Sequence, residues 1–235
     1  MRPSLDNKTL IITGGFGNLG IAVALEAHQR GANLVLVDYA PGSTDERLEN
    51  LGDRLLMLGN VDLTDMEQAK GAIDQASQQF GKVDALLNIA GGFRWELFGE
   101  ADLDNWDLLY NLNVKTAITA SKAALPALLS SRGSIVCISA GPALKGALGM
   151  GPYAASKAAV SRFVESLSEE VKDQGVRVNA VMPSVIDTPL NREDMPEADF
   201  AAWVTPQALA RVILFLASDE ADAVTGAVIP VFNRA

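Results

Sequence analysis

The chain has 235 residues, 49% apolar and 20% charged, with a formal net charge of −10, one histidine and one cysteine. That charge repels nucleic acid and anionic membranes, the lone Cys137 forbids an intrachain disulfide, and no Cys/His cluster suggests a metal. No apolar run approaches the roughly 20 residues that cross a bilayer, Met1 to Lys8 lacks a signal-peptide core, and no Pro/Gly/Ser-rich linker divides the chain, so one soluble cytoplasmic domain over residues 1–235 is expected.

The first strand is Thr9-Leu10-Ile11-Ile12, a short run of the kind buried in parallel sheets. It breaks at Thr13-Gly14-Gly15-Phe16-Gly17-Asn18-Leu19-Gly20 and gives way to an Ala-rich helix over 21–30, closed by Gly31 and carrying His28 on its surface. Taken alone the glycines would suit any tight loop. Between a strand and a helix, Gly15, Gly17 and Gly20 satisfy the G-x-G-x-x-G dinucleotide fingerprint, and the helix N-terminus offers amide donors to a pyrophosphate. The second strand, Asn33 to Val37, ends in Asp38, 18 residues past Gly20, where a carboxylate accepts ribose hydroxyls and repels a 2′-phosphate. No Arg or Lys stands beside it, since Tyr39 and Ala40 follow and Phe16 fills the turn, so NAD is expected in preference to NADP.

A third strand over Leu55 to Leu58 leads to Asp62 and Leu63, with Thr64 as the expected cap of a helix reaching Phe80. A fourth, Val83 to Leu87, ends in Asn88-Ile89-Ala90-Gly91-Gly92. Asp102 or Asp104 caps one long helix bearing Trp106, Leu109, Leu112 and Ile118, with Pro126 near its end. The fifth strand, Ser134 to Ser139, encloses Cys137 as a buried, inert thiol suited to a reducing compartment. Strands alternating with helices mean right-handed βαβ units and a parallel sheet whose ligands bind beyond the strands' carboxyl ends.

A Gly- and Ala-rich loop then reaches Gly151-Pro152-Tyr153-Ala154-Ala155-Ser156-Lys157. Pro152 suits a helix start, and Tyr153 and Lys157 share a face of the helix to Lys172. That spacing alone would also suit a solvated face; functionally, an ammonium beside a phenol lowers the phenol pKa from about 10 and equips it for acid/base work. After a sixth strand, Val176 to Met182, residues 184–205 form an expected lid over the active site, the alternative being a surface insertion. Thr205-Pro206 caps a last helix carrying Leu209, Val212, Ile213 and Leu216.

In this order, the Thr13–Gly20 turn, Asp38, Asp62, Asn88 to Gly91, Asn113, Tyr153 with Lys157, and Pro183 through Thr188 resemble the short-chain dehydrogenase/reductase family over essentially the whole chain. The resemblance implies a doubly wound Rossmann domain with a seven-stranded parallel sheet and helices on both faces. It implies hydride transfer between a nicotinamide and a small carbonyl or alcohol, with Tyr153 as general acid/base, Lys157 lowering its pKa and holding the nicotinamide ribose, and Asn113 ordering a water relay. Asp62 and Leu63 would meet adenine, Asn88, Ala90 and Gly91 would line the cofactor, and Ile186 and Thr188 would hold the carboxamide. The family's habit also implies a homotetramer or dimer, built through helices around 104–129 and 153–172. Phe93, Trp95, Met150 and Trp203 are candidate walls of the substrate site, with ordinary packing as the alternative.

Three departures from the family pattern stand out. Asn18 and Ser184 occupy positions where the family commonly has Gly. The serine expected thirteen residues before Tyr153 is Ala140, and Ser139 is one position early, so strand alternation turns its hydroxyl away unless a bulge restores it. The stretch from Asp187 to Trp203 and the approach from Leu148 to Tyr153 are similar to quinonoid dihydropteridine reductases, which use Tyr and Lys without that serine. The tail, Gly226 to Val231, is similar to bacterial-type dehydrogenases. The alternatives are thus an NADH-dependent dihydropteridine-reductase-like enzyme, or a catalytically silent dinucleotide sensor.

Overall fold

The apolar runs become seven strands in a computed structural model that describes residues 4–100 and 102–234; residues 1–3 of the segment expected to lack a leader core, with Ala101 and Ala235, lie outside the described residues. The strands are β1 (Thr9–Thr13), β2 (Asn33–Val37), β3 (Leu55–Leu58), β4 (Ala85–Asn88), β5 (Ser134–Ile138), β6 (Arg177–Pro183) and β7 (Val228–Val231). They pair in the order β3-β2-β1-β4-β5-β6-β7, every pair parallel. The order reverses between β1 and β4, which places a crevice where those two strands end.

Alternation along each strand supplies two cores. Leu10, Ile12, Leu34 and Leu36 face α1 (Asn18–His28) and α7 (Pro206–Ala217), whereas Ile11, Val35 and Val37 join the opposite layer with α2 (Met66–Phe80), α4 (Thr116–Ser131) and α5 (Gly151–Val171). Helix α1 is packed tightly enough that Leu19 through Ala24 are all buried. Fully burying one such leucine stabilises the fold by about 1.5–3 kcal/mol. Among the described residues no helix is long and apolar enough to cross a membrane.

Several local expectations are corrected. Helix α2 is capped by Asp65, whose carboxylate accepts from the amides of Glu67 and Gln68, while Thr64 turns its hydroxyl to Asp62. The expected long helix is two: α3 (Leu103–Tyr110) follows Asp102, whose side chain makes no cap bond, and a single π turn over 111–115 separates it from α4. Residues 184–205 contain α6 (Pro189–Asp194), a 3-10 turn at Phe200–Ala202 and a parallel bridge between Ile186 and Val204.

Candidate active site

The glycine turn is shaped by what surrounds it. Gly14 has φ +63°, and a methyl group there would lie 2.9 Å from the Ala90 backbone; one on Gly15 would lie 2.7 Å from Leu36 Cβ, and one on Gly20 would overlap Gly14 O. Gly17 differs: a methyl there would meet nothing nearer than Gly14 O at 3.5 Å. Gly17 is the N-cap of α1 without a side-chain cap bond, so the first-turn amides beyond it, with Asn18 exposed among them, are free to meet an anion. Leu19 is buried in the core.

Asp38, at the end of β2, is held by two main-chain donors: Phe16 N–H reaches one carboxylate oxygen at 3.0 Å and Ala40 N–H the other at 3.0 Å. It borders an open cleft of about 790 Å³ lined also by Phe16, Gly17, Ile21, Asp45 and Arg47. Beyond the neighbours Tyr39 and Ala40, the chain returns through 41–47 and brings Arg47 to the same cleft. Amide cradle, carboxylate and cleft size fit the pyrophosphate, ribose and adenine of a dinucleotide. Asp62 accepts from the amide and hydroxyl of Thr64, and Leu63 is buried beside it.

Thr13 organises the end of β4, its hydroxyl accepting from the amides of Ile89 at 3.0 Å and Ala90 at 3.1 Å. Asn88 does not present its side chain to the crevice. Its amide donates into the core, to Ser121 Oγ at 2.9 Å and Cys137 Sγ at 3.5 Å, and leaves its buried carbonyl oxygen unpartnered. Gly91 is exposed beyond it.

The candidate catalytic residues gather where α5 begins. Pro152 lies in the first turn of the helix, after Gly151, and Tyr153 and Lys157 follow four residues apart on one side of it. The Phe93 ring meets the Tyr153 ring edge-on at 4.8 Å. Asn113 sits in the π turn, where Thr116 N–H reaches back to Asn111 O and the widened turn rotates the asparagine toward α5. Its side chain is tied twice to Gly92, accepting from the amide at 2.9 Å and donating to the carbonyl at 3.0 Å, and it donates to Ser156 Oγ at 3.0 Å. Ser156 in turn donates to Tyr153 O at 2.8 Å. One hydroxyl thereby joins the π turn to the turn of helix that carries the tyrosine.

Lys157 is buried at 5% exposure and donates to Ile138 O at 2.9 Å, with its ammonium 6.0 Å from the Tyr153 ring centre. Burial lowers its pKa to about 8, a shift the nearby Cys137 opposes. Burial pushes Tyr153 up to about 12. In this arrangement the ammonium is turned to a strand carbonyl, and burial sets the direction of the phenol shift. Ser139 is likewise turned away: its hydroxyl pairs with Ser161 Oγ at 2.8 Å and with Lys157 O at 3.1 Å. It fastens β5 to α5, and position 140 offers a buried alanine methyl.

The outer rim is stitched to itself. Trp95 Nε1 donates to Leu148 O at 3.0 Å and Glu96 N–H to Gly149 O at 2.9 Å, with Gly149 at φ +69°. Phe93 and Trp95 stay 46% and 52% exposed, and Met150 lies half-buried at the N-cap of α5. Trp203 does not join them; it is 5% exposed and packs against Phe200 at 4.8 Å. Pro183 ends β6 in the core, the Thr188 hydroxyl caps α6 by accepting from Asn191 N–H at 3.3 Å, and Ile186 O accepts from the Asn191 amide. The sequence reading missed Arg47 at the cleft and the linking roles of Thr13, Gly92 and Ser156. Ser156 carried a usable signal, a serine three residues after the tyrosine, which is the spacing for bonding back to a helix carbonyl.

Residues 8–199 match the model of the short chain dehydrogenase family. The chain is 33% identical to 3-oxoacyl-[acyl-carrier-protein] reductase of Thermotoga maritima, over 96% of both chains. It is 31% identical to meso-2,3-butanediol dehydrogenase of Serratia marcescens, over 96% of this chain and 93% of that one. Among solved structures it superposes on a short-chain dehydrogenase/reductase described as glucose/ribitol dehydrogenase from Brucella melitensis, with a TM-score of 0.91, 32% identity and coverage of 98% and 97%. Carveol dehydrogenase from Mycobacterium avium in complex with NAD gives a TM-score of 0.86 at 26% identity, covering 97% of each chain.

Proposed function

The chain belongs to the short-chain dehydrogenase family and is an oxidoreductase using a nicotinamide dinucleotide, and we propose that it transfers hydride between NAD(H) and a small carbonyl or alcohol with Tyr153 as general acid/base. The observation that carries this reading is the chain of contacts from Gly92 through Asn113 and Ser156 to Tyr153, directly beyond the end of β4 and beside the glycine turn.

When bound, the reduced nicotinamide supplies the hydride to the carbonyl carbon. Tyr153 then gives its phenolic proton to the carbonyl oxygen, and the reverse reaction returns it. Lys157, with a pKa near 8, keeps its proton at neutral pH. Turned from Ile138 O toward the phenol, its ammonium would lower the Tyr153 pKa by direct charge interaction and hold the nicotinamide ribose. Asn113 holds the relay that recharges this pair. Gly14 through Gly20 and the α1 amides hold the pyrophosphate, Asp38 the adenosine ribose, Asp62 and Leu63 the adenine, and Ala90, Gly91, Pro183, Ile186 and Thr188 the nicotinamide half. Residues 184–205 act as the substrate lid, with Phe93, Trp95 and Met150 forming the mouth. Exposed Leu103, Tyr110 and Leu112 on the α3 flank support assembly into a homo-oligomer through this side.

A second reading, dihydropteridine-reductase-like chemistry, draws support from one observation. Ala140 brings no hydroxyl to the substrate oxygen and Ser139 is engaged elsewhere, so a single proton donor serves the reacting atom. The test is NADH oxidation by the purified protein with a carbonyl panel and a quinonoid dihydropterin, beside a Tyr153→Phe control. Carbonyl turnover lost in Tyr153→Phe upholds the first reading, and turnover with the pterin alone favours the second. Dinucleotide binding without Tyr153-dependent turnover would sink both and leave a sensor.

A further inference from the structure

The cleft that borders Asp38 contains a second carboxylate already committed to a guanidinium. Past Asp38 the chain turns through Ala40, Gly42, Ser43 and Thr44 and returns along the same cleft with Asp45, Glu46 and Arg47. Asp45 accepts from the Arg47 main-chain amide at 3.0 Å, from its Nε at 2.8 Å and from its Nη2 at 2.5 Å. The first bond caps the 3-10 segment that starts at Glu46. The other two are a forked ion pair, which holds the Asp45 carboxyl below and the Arg47 guanidinium above their usual ranges. Three carboxylates, those of Asp38, Asp45 and Glu46, thus share this cleft with one cation.

A fork on a carboxylate has the same planar, two-point geometry that a guanidinium offers to a phosphate. Arg47 is therefore the one group in the cleft equipped to take a 2′-phosphate, and Asp45 occupies it. We propose that Asp45 is a specificity-determining residue for the dinucleotide: by sequestering Arg47 it shares with Asp38 the exclusion of a 2′-phosphate. The proposal rests on the dinucleotide reading above and adds that discrimination is divided between two carboxylates, only one of which lies at the end of β2.

Asparagine at position 45 separates charge from structure. Its amide oxygen caps as a carboxylate does, while the charge that holds the fork is gone. The Arg47 half of the pair is open to solvent, its side chain 61% exposed against 20% for Asp45, so losing the ion pair while keeping the cap leaves the fold intact.

The experiment is fluorescence titration of NADH and NADPH against wild type, Asp45→Asn and Asp45→Asn/Arg47→Met, at low and moderate salt. Asp45→Asn is expected to tighten NADPH binding by about tenfold and to change NADH binding by less than about threefold. The NADPH gain should disappear in the double variant and shrink with added salt, as a phosphate–guanidinium contact must. A preference ratio in Asp45→Asn within about twofold of wild type, or a gain that survives Arg47→Met, overturns the proposal while leaving NADH binding as its own separate result. Wild type binding neither dinucleotide overturns the parent reading, and the proposal with it.

Discussion

Gly91 and Asn113 are in such close register that a methyl group on the glycine would sit 2.6 Å from the asparagine side-chain oxygen and 3.3 Å from the Lys157 ammonium. That oxygen is the acceptor for Gly92 N–H, so the one added carbon would disturb both ties that orient Asn113. Gly91→Ala is expected to fold and to lower kcat by about 100-fold, the scale of an ångström's misplacement at a reacting centre. Thermal unfolding and steady-state kinetics on the same preparation check this. A kcat within threefold of wild type would show that Asn113 does not serve turnover.

The glycine turn offers a paired test. Gly20→Ala drives a methyl group into Gly14 O and is expected to cost several kcal/mol of stability, whereas Gly17→Ala makes only an ordinary contact with Gly14 O at 3.5 Å. Gly17→Ala should unfold within a few degrees of wild type yet bind NADH at least about tenfold more weakly, because only the pyrophosphate needs that backbone bare. Melting curves and NADH titration distinguish the two, and undiminished NADH affinity in Gly17→Ala would move the pyrophosphate elsewhere.

Lys157 gives a pH signature of known sign. Its folded pKa of about 8 lies below the ordinary value of 10.5, so between those pH values the unfolded chain holds the extra proton and stability rises with pH through that window. Tyr153, raised from 10 to about 12, acts oppositely: the folded state keeps its proton longer, and stability falls between those values. Cys137, raised from 9 to about 11, adds a fall in its own window. Lys157→Met removes the first effect and, by taking away the ammonium that partly offsets burial at Cys137, leaves that thiol raised further. At pH 7 it should be more stable than wild type by about 3 kcal/mol and inactive, with the gap closing as pH rises past 8. Urea unfolding across that range measures it, and a gap independent of pH would mean that the ammonium is not buried in solution.

Ser139 separates packing from chemistry. Ser139→Ala loses the bonds to Ser161 and Lys157 O and is expected to cost about 1 kcal/mol of stability, with kcat/KM kept within threefold. A fall of about 100-fold would restore Ser139 as a donor to the substrate oxygen.

What could be read in the chain was written at short range. The turn after β1, Asp38 at the end of β2 and the Tyr153–Lys157 spacing each depend on a few neighbouring residues whose local geometry is nearly obligatory. The π turn at Asn113 was not legible, because an apolar period running through Leu109, Leu112 and Ile118 predicts one helix, and an inserted residue leaves that pattern almost unchanged. Arg47 escaped for a different reason. It lies nine residues beyond Asp38, and only the return of the chain across the cleft brings them together. Helix α6 was legible and unread: Thr188-Pro189 is the same cap signature as Thr205-Pro206, which begins α7. Trp203 shows the limit of residue type, since nothing in its neighbours tells a tryptophan that walls a site from one that packs beneath it.

The stitched rim has a consequence for how this protein can change. Trp95 and Glu96 fasten the loop through the carbonyls of Leu148 and Gly149, so the restraint falls on the main chain and not on the identity of most side chains. Leu144, Lys145, Ala147 and Leu148 point outward from a fixed frame. Such a rim is a palette: its colours can be exchanged singly, by drift or by a designer, while the tyrosine, lysine and asparagine a turn of helix below keep their arrangement.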